Sequence, residues 1–181
     1  MPFETEKLFR LIRPFVETPS CFGGELNGPL TKEKTSSSFK SGQNFKNLTF
    51  VSFNCRSIRN KTQSILSYLD ENKIDVACFQ ETWLDNGDSN ILVEIKEYGY
   101  HVINQPRQLR RGGGVLMLYK PTVQMSKLSW KPGKPYKTFE YLLRKLTVEG
   151  EVLTIVNLYR APYSAANKTT VEMFLVEFEN F

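Results

Sequence analysis

Residues 48–81 read LTFVSFNCRSIRNKTQSILSYLDENKIDVACFQE, and this stretch decides the fold. Its first part, residues 48–53, is rich in β-forming side chains and predicts a strand. Residues 74–79 are apolar nearly throughout, as in a strand that is covered on both faces. Between them, residues 60–72 predict a helix, indicated by Asn60 as its cap, Ile65, Leu66 and Leu69 as its apolar face, and Asn72 as its end. A strand, a helix and a strand in about thirty residues indicate a parallel unit with a crossover.

Further strands and one more helix are predicted downstream. The predicted strands are residues 98–103, 114–119, 139–148 and 151–158. Glu149-Gly150, between the last two, predicts a short hairpin turn. Thr169-x-x-Glu172 has the spacing of a capping box, and the helix that follows carries an apolar stripe made of Val171, Phe174, Leu175 and Phe178. The pattern therefore predicts an α/β fold with mixed sheets.

The first 47 residues have a different composition. A short helical pattern between Glu6 and Val16 is interrupted by Pro14. The stretch from Thr31 onwards is polar, and it has too little apolar surface to offset the entropy of ordering the chain. We expect residues 1–47 to be a mostly disordered leader with one marginal helix, and residues 48–181 to be the folded domain.

Composition narrows the class of protein. The 181 residues carry 24 Lys and Arg against 19 Asp and Glu, a net charge of +5, which permits a polyanionic partner without requiring one. No run approaches the roughly 18 apolar residues that a membrane span needs, and the acidic start does not resemble a secretory signal. Cys21, Cys55 and Cys78 have the spacing of neither a disulfide framework nor a zinc site. We therefore expect an intracellular protein without a membrane partner.

Polar side chains follow the two strands of the predicted parallel unit. Asn54 follows the first strand and Glu81 follows the second, and in α/β folds ligands bind at the carboxyl ends of parallel strands. A carboxylate there suits Mg²⁺, and an amide beside it can orient a phosphate or the other ligands. A turn asparagine and an ordinary loop glutamate are the alternative interpretation. His101, the single histidine, lies in a predicted strand and is expected to be half-buried and structural.

Four sequence blocks together indicate a family. They are FNCRS at 53–57, FQETWL at 79–84, RGGGV at 111–115 and LYRAP at 158–162. In this order and approximate spacing they resemble the endonuclease/exonuclease/phosphatase superfamily. Within that superfamily the chain is most similar to the apurinic-type endonuclease domain of LINE-like (non-LTR) retrotransposon polyproteins, over residues 48–181. The resemblance implies a partial four-layer α/β sandwich of the DNase-I-like type.

The resemblance also implies roles for individual residues. Glu81 ligates Mg²⁺, with Mn²⁺ as the alternative ion, and Asn54 completes the metal site and orients phosphate. Tyr159 reaches the scissile phosphate. Three arginines near the nucleic-acid face are expected to contact DNA, and they are Arg56, Arg111 and Arg160. The implied reaction is hydrolysis of a DNA phosphodiester by an activated water, which produces a nick that primes reverse transcription.

The chain also departs from the family pattern. The family has an Asp-x-Asn block shortly after a helix like that predicted from Thr169, and a final Ser-Asp-His block, and we expect neither of them in this chain. We therefore expect a truncated domain, weak or inactive as a nuclease alone, with an exposed apolar sheet face that can drive self-association. The alternatives are a non-catalytic nucleic-acid-binding fragment or another phosphoesterase of the superfamily. As a retrotransposon enzyme it would act in the nucleus.

Overall fold

The computed structural model describes residues 48–107, 112–129, 135–164 and 168–181, so the predicted leader lies outside the described residues. In chain order the elements are β1 (Phe50–Asn54), α1 (Thr62–Glu71), β2 (Val76–Gln80), α2 (Ser89–Glu97), β3 (His101–Gln105), β4 (Val115–Tyr119), β5 (Gln124–Lys127), β6 (Glu140–Val148), β7 (Glu151–Tyr159) and α3 (Val171–Glu179). They form two sheets, which confirms the predicted mixed α/β fold.

The first sheet has the strand order β1-β2-β4-β3. β1 runs parallel to β2, with Asn54 opposite Gln80, and α1 provides the crossover between them. β4 is antiparallel to both of its neighbours, β2 and β3. The predicted parallel unit is therefore confirmed, and its carboxyl ends lie at one edge of a mixed sheet.

The second sheet is an antiparallel meander in the order β5-β6-β7. The turn between β6 and β7 consists of Glu149 and Gly150, with φ of 51° and 86°. Two successive left-handed residues match the right-handed twist of the flanking strands, which is why a two-residue turn suffices. The predicted hairpin is therefore confirmed.

β4 separates two apolar cores because its side chains alternate between the two faces of its sheet. Leu116 and Leu118 pack towards α1 and α2, together with Leu69 and Ile95. Val115 and Met117 face the second sheet, and there they join the buried residues Val76, Leu142, Leu146 and Ile155. Helices thus cover one face of the first sheet, and the second sheet covers the other.

α3 packs against the loop that leads into β6 and the start of that strand, through an aromatic cluster. The cluster consists of Tyr136, Phe139 and Tyr141 on one side and Phe174, Phe178 and Phe181 on the other, with ring centroids 4.7 to 6.4 Å apart. α3 begins at Thr170, whose hydroxyl accepts a hydrogen bond from Met173 N at 3.3 Å. The capping residue is therefore Thr170, one position after the predicted Thr169, because Thr170 is the residue that has the extended backbone of a cap.

Two elements were not predicted, and one strand lies further along the chain than expected. α2 and the four-residue β5 have no counterpart in the prediction. β3 begins at His101 and not at Tyr98, because Tyr98 ends α2 and Gly99 turns the chain with φ 106°. The cap of α1 is Lys61 rather than Asn60, and it makes no side-chain cap bond.

The structure also bears on the expectations for His101 and for membrane-spanning helices. His101 is exposed, so the prediction of a half-buried histidine was wrong; its ring lies 5.0 Å from that of Tyr119 on the neighbouring strand. It is the first residue of an edge strand, where one flank has no neighbouring strand to cover it. Among the described helices, none combines the length and apolarity that crossing a membrane requires.

Candidate active site

The carboxyl ends of β1 and β2 bring Asn54 and Glu81 together. The Nδ2 of Asn54 donates a hydrogen bond of 2.7 Å to Oε1 of Glu81. Parallel pairing explains the contact, because Asn54 lies opposite Gln80 and Glu81 follows directly. The expected juxtaposition of these two residues is thus present.

Tyr159 reaches the same carboxylate from the second sheet. It ends β7, and its hydroxyl donates to Oε1 of Glu81 at 2.8 Å, so this oxygen accepts two hydrogen bonds. Burial raises the pKa of Tyr159 well above its usual range, and the hydrogen bond to Glu81 and the charge of that carboxylate raise it further. The phenol therefore stays a protonated donor at any physiological pH.

Asn157, two residues before Tyr159 in β7, joins the two sheets. It is almost fully buried, and its Nδ2 donates to the backbone carbonyls of Phe79 at 3.1 Å and Leu116 at 2.9 Å. Its Oδ1 accepts a hydrogen bond of 2.6 Å from Nε2 of Gln80. A buried amide with all these bonds fixes the position of β7 relative to the first sheet, and so fixes Tyr159 relative to Glu81. The sequence signal for it is an asparagine within an otherwise apolar strand.

A second polar network holds the glycine-rich loop. Arg107 donates through Nε to Oε1 of Glu140, and the backbone N–H of Gly114 donates to Oε2 at 2.5 Å. The guanidinium of Arg107 lies 6.0 Å from the ring centroid of Tyr159, which is the range of a cation–π contact. Gly113 has φ 68°, a conformation that favours glycine, and a side chain there would also displace the guanidinium of Arg107. The sequence prediction missed both Arg107 and Glu140 as site residues.

Backbone strain is concentrated at this edge of the sheet. Arg56, Ser57, Glu81 and Trp83 have φ of 43°, 80°, 55° and 56°, in the left-handed region that non-glycine residues rarely adopt. The segment with Arg56 and Ser57 is hydrogen-bonded to the segment with Glu81 and Trp83: Ser57 N donates to the carbonyl of Glu81 at 2.7 Å. Residues held in such conformations cluster at functional sites, where the surrounding structure maintains them.

Two of the three predicted arginines, Arg56 and Arg160, lie within the described residues. Arg56 is exposed beside Asn54, with its backbone N–H 3.4 Å from Oδ1 of that residue. The guanidinium of Arg160 lies over the ring of Phe174 in α3, 5.6 Å from its centroid. Arg111 lies outside the described residues.

The expectation that the chain lacks an Asp-x-Asn block was wrong as far as the letters are concerned, because residues 87–90 read Gly-Asp-Ser-Asn. In the structure they stand at the beginning of α2, with Asp88 as its N-cap residue. The carboxylate of Asp88 accepts hydrogen bonds from Arg59 at 2.9 and 2.7 Å and from Asp85 N at 2.7 Å. These bonds hold the pKa of Asp88 below its usual value, so the residue serves an ion pair of the loop.

The donor set at Glu81 fits a hard divalent cation that keeps most of its water. Such ions bind through one or two carboxylates together with substrate phosphate oxygens and water. Both hydrogen bonds to Glu81 end on Oε1, and among the described residues Oε2 has no hydrogen-bond partner. The described part of the chain contains no group of three or more acidic, histidine or cysteine side chains of the kind that binds a metal without help from substrate.

Comparison with known proteins identifies the family. Residues 51–170 match the sequence model of the Endonuclease/Exonuclease/phosphatase family. No curated protein sequence matches the chain.

Several solved structures are similar to part of the chain. An AP endonuclease from Archaeoglobus fulgidus is 24% identical with a TM-score of 0.42, over 60% of this chain and 40% of its own. The AP endonuclease LMAP from Leishmania major is 22% identical with a TM-score of 0.46, over 63% of this chain and 40% of its own. The 3′ phosphatase NExo from Neisseria, bound to a product DNA hairpin, is 20% identical with a TM-score of 0.41, over 57% and 39%.

This chain spans about 40% of the length of the solved structures it matches. The family assignment rests on the sequence match, which extends from β1 to the residue that caps α3 and so includes Asn54, Glu81 and Tyr159. By this match the chain belongs to the endonuclease/exonuclease/phosphatase family, whose members are metal-dependent phosphodiesterases and nucleases.

Proposed function

We propose that this domain hydrolyses DNA phosphodiesters with the help of Mg²⁺, and that its turnover is slow. The observation that carries the proposal is the double hydrogen bond to Oε1 of Glu81, from Asn54 at 2.7 Å and Tyr159 at 2.8 Å. The two bonds hold one carboxylate at the end of a parallel strand pair, and both of them end on Oε1. Such a carboxylate suits Mg²⁺, or Mn²⁺ in its place, better than a softer ion.

Each residue of the site has its own proposed role in the hydrolysis. A bound Mg²⁺ would neutralise charge that develops on the phosphate and on the leaving oxygen. Glu81 would bind it and Asn54 would complete the site, while the protonated phenol of Tyr159 would transfer its single hydrogen bond from Glu81 to a phosphate oxygen when substrate binds. The arginines at positions 56, 111 and 160 are proposed to contact the DNA backbone.

Slow turnover is expected because the single histidine of the sequence, the side chain that most often acts as a general base, begins the strand at the end remote from Glu81. The single histidine, His101, begins β3, whereas Gln105 at the other end of that strand is the residue nearest to the edge that carries Glu81. Positioned acid–base help is worth about 10²- to 10⁴-fold in rate. The competing function is DNA binding without cleavage, which the net charge of +5 supports.

A plasmid-nicking assay tests the proposal, with Mg²⁺, Mn²⁺ and chelator in parallel. The wild-type chain should nick slowly and only with metal. Glu81→Gln should lower the rate roughly a hundredfold, because a lost metal contact costs several kcal/mol of transition-state stabilisation. Glu71→Gln, an exposed glutamate at the end of α1, is the matched control. Nicking without metal, or nicking that survives Glu81→Gln, would refute the assignment; metal-insensitive binding without nicking would favour the competing function.

We further propose that the domain is of the LINE-like retrotransposon type and acts in the nucleus. The support is the set of four blocks at residues 53–57, 79–84, 111–115 and 158–162, which combine the Glu81 and Tyr159 segments with a Tyr-Arg-Ala-Pro strand end. A reverse-transcriptase coding region in the adjoining genomic DNA is the expected finding. A fluorescent fusion that stays out of the nucleus would contradict the proposed location.

A further inference from the structure

Trp83 is the feature of this edge that the proposed hydrolysis leaves unused. Its side chain is 40% exposed, which is unusual for so large an apolar surface. Its backbone is in the left-handed region with φ 56°, a rare conformation for a bulky residue. Both facts indicate that the surrounding structure holds an indole at the surface at a free-energy cost.

The backbone around Trp83 explains how it is held. Its N–H donates to the carbonyl of Gly113 at 2.8 Å, and Thr82 before it is fully buried. The indole lies on the backbone of Gly112, where an added Cβ would stand 3.6 Å from Nε1. The indole therefore lies close to a residue without a side chain, while Trp83 as a whole stays 40% exposed.

Trp83 is connected to Glu81 by successive contacts through the glycine loop, Arg107 and Tyr159. The glycine loop that supports Trp83 also packs on Arg107, since a side chain at Gly113 would strike that guanidinium. Arg107 in turn lies over the ring of Tyr159, and Tyr159 donates to Glu81. Trp83, which follows Glu81 by two residues, is therefore connected to it also through the glycine loop, Arg107 and Tyr159.

We propose that Trp83 is a stacking surface for an unpaired nucleobase of the strand whose phosphate lies at Glu81. An exposed, rigidly held aromatic ring beside a phosphate site has the chemistry that single-stranded nucleic acid requires, because every base has a π-face. The inference rests on the proposed function in one respect, namely that a nucleic-acid strand binds at Glu81. It adds that this site prefers a strand with an unstacked base next to the scissile bond.

The test measures binding in chelator, so that no hydrolysis takes place. The full chain carries Trp130→Phe, which leaves Trp83 as the single tryptophan of the two in the sequence. Its fluorescence is followed while a twelve-nucleotide oligothymidine is added. A second titration uses an abasic strand of the same length, which keeps the phosphates and lacks the bases. We expect quenching by oligothymidine and little quenching by the abasic strand.

Affinities for the same two labelled strands are then measured by anisotropy for Trp83→Leu and Trp83→Phe. Trp83→Leu should weaken oligothymidine binding about 5- to 150-fold, the effect of about 1–3 kcal/mol per stacked base, and should leave abasic binding unchanged. Trp83→Phe should retain most of the affinity because it keeps a ring. Tyr98→Leu is the matched control, an aromatic 41% exposed at the end of α2. Circular dichroism establishes that each variant is folded.

Two results would overturn the inference: a Trp83→Leu affinity within twofold of the parent, or an equal loss on the abasic strand. Because binding is measured without metal, its result is independent of the nicking assay. Metal-dependent nicking together with no effect at Trp83 would refute this inference alone. Base-dependent quenching of the chain with Glu81 intact, together with no metal-dependent nicking by that chain, would support the stacking role and refute the proposed hydrolysis.

Discussion

Glu81 is oriented by two donors from different sheets, and the more distant one is Tyr159. Tyr159→Phe keeps the ring beside Arg107 and removes only the hydroxyl. We expect Mn²⁺ affinity to fall about 10- to 100-fold, the usual effect of losing a group that orients a metal ligand. Titration calorimetry measures it, with Tyr163→Phe as the control because that tyrosine is 65% exposed. An affinity within twofold of wild type would mean that Asn54 alone orients the carboxylate.

The two described cysteines should be unreactive in the native protein. Burial raises the pKa of both thiols, Cys55 and Cys78, to about 12. The attacking species is the thiolate, so at pH 8 its fraction is about a thousandfold below that of an unfolded thiol. Iodoacetamide at pH 8, followed by peptide mass spectrometry, should label both residues slowly in buffer and rapidly in urea. Rapid labelling of Cys55 in buffer would contradict the burial described for it.

Only part of the residue-level site could be predicted from sequence. Asn54 and Glu81 each end a strand, and that local pattern places them at one edge. Glu140 could not be found in this way, because its partner Arg107 is 33 residues away and no local period relates them. The same holds for Asn157, which pairs with Gln80 across 77 residues. Contacts between two sheets depend on how the sheets pack, which the sequence pattern of a single strand does not contain.

At the scale of elements, α3 is attached to the start of β6 through Glu177. Its carboxylate accepts hydrogen bonds from the backbone N–H groups of Lys137 and Thr138 and from the hydroxyl of Thr138, at 2.7 to 3.2 Å. Burial tends to raise the pKa of Glu177, but the bonds from Thr138 and Lys137 together outweigh it and lower that pKa. Because the folded-state pKa is lowered, this stabilisation is present above the ordinary value and is lost as pH falls through the folded-state value.

Glu177→Gln should therefore lower the free energy of unfolding by about 1 kcal/mol at pH 7, a modest effect because the group is partly exposed. The difference from wild type should shrink as the pH falls from 5 to 3. Urea unfolding at pH 7 and pH 3 measures it, and Glu179→Gln, an exposed glutamate on the same helix, is the control. A difference that stayed constant with pH would show that the charge of Glu177 contributes nothing to the docking of α3.

The elements that were predicted differ physically from those that were missed. β6 and β7 are nine residues each and pair along their whole length, so their composition alone identifies them. β5 has four mostly exposed residues and owes its extended conformation to pairing with β6. α2 buries only Ile91 and Ile95, so its buried apolar face consists of two residues. Tertiary contacts decide the structure of such short segments.

At the scale of the whole molecule, α3 exposes several apolar side chains among the described residues. Val171, Met173, Leu175 and Val176 are 47 to 62% exposed, and none of the residues of this helix is buried. Apolar groups that are contiguous on a surface favour association, with a gain of roughly 25 cal/mol for each Å² removed from water. We therefore expect the isolated chain to self-associate as its concentration rises.

Sedimentation velocity over a tenfold range of concentration tests this expectation, and the weight-average sedimentation coefficient should rise with concentration. The double substitution Leu175→Lys and Val176→Lys should abolish the rise, because it introduces two like charges into the patch. Val93→Lys is the control, since Val93 is 48% exposed on α2 and lies outside the patch. If Val93→Lys reduced association as much as the double variant, general surface charge would be the cause and α3 would not. A coefficient that stayed constant for wild type would mean that the exposed face of α3 is too small, at these concentrations, to offset the entropy lost when two chains associate.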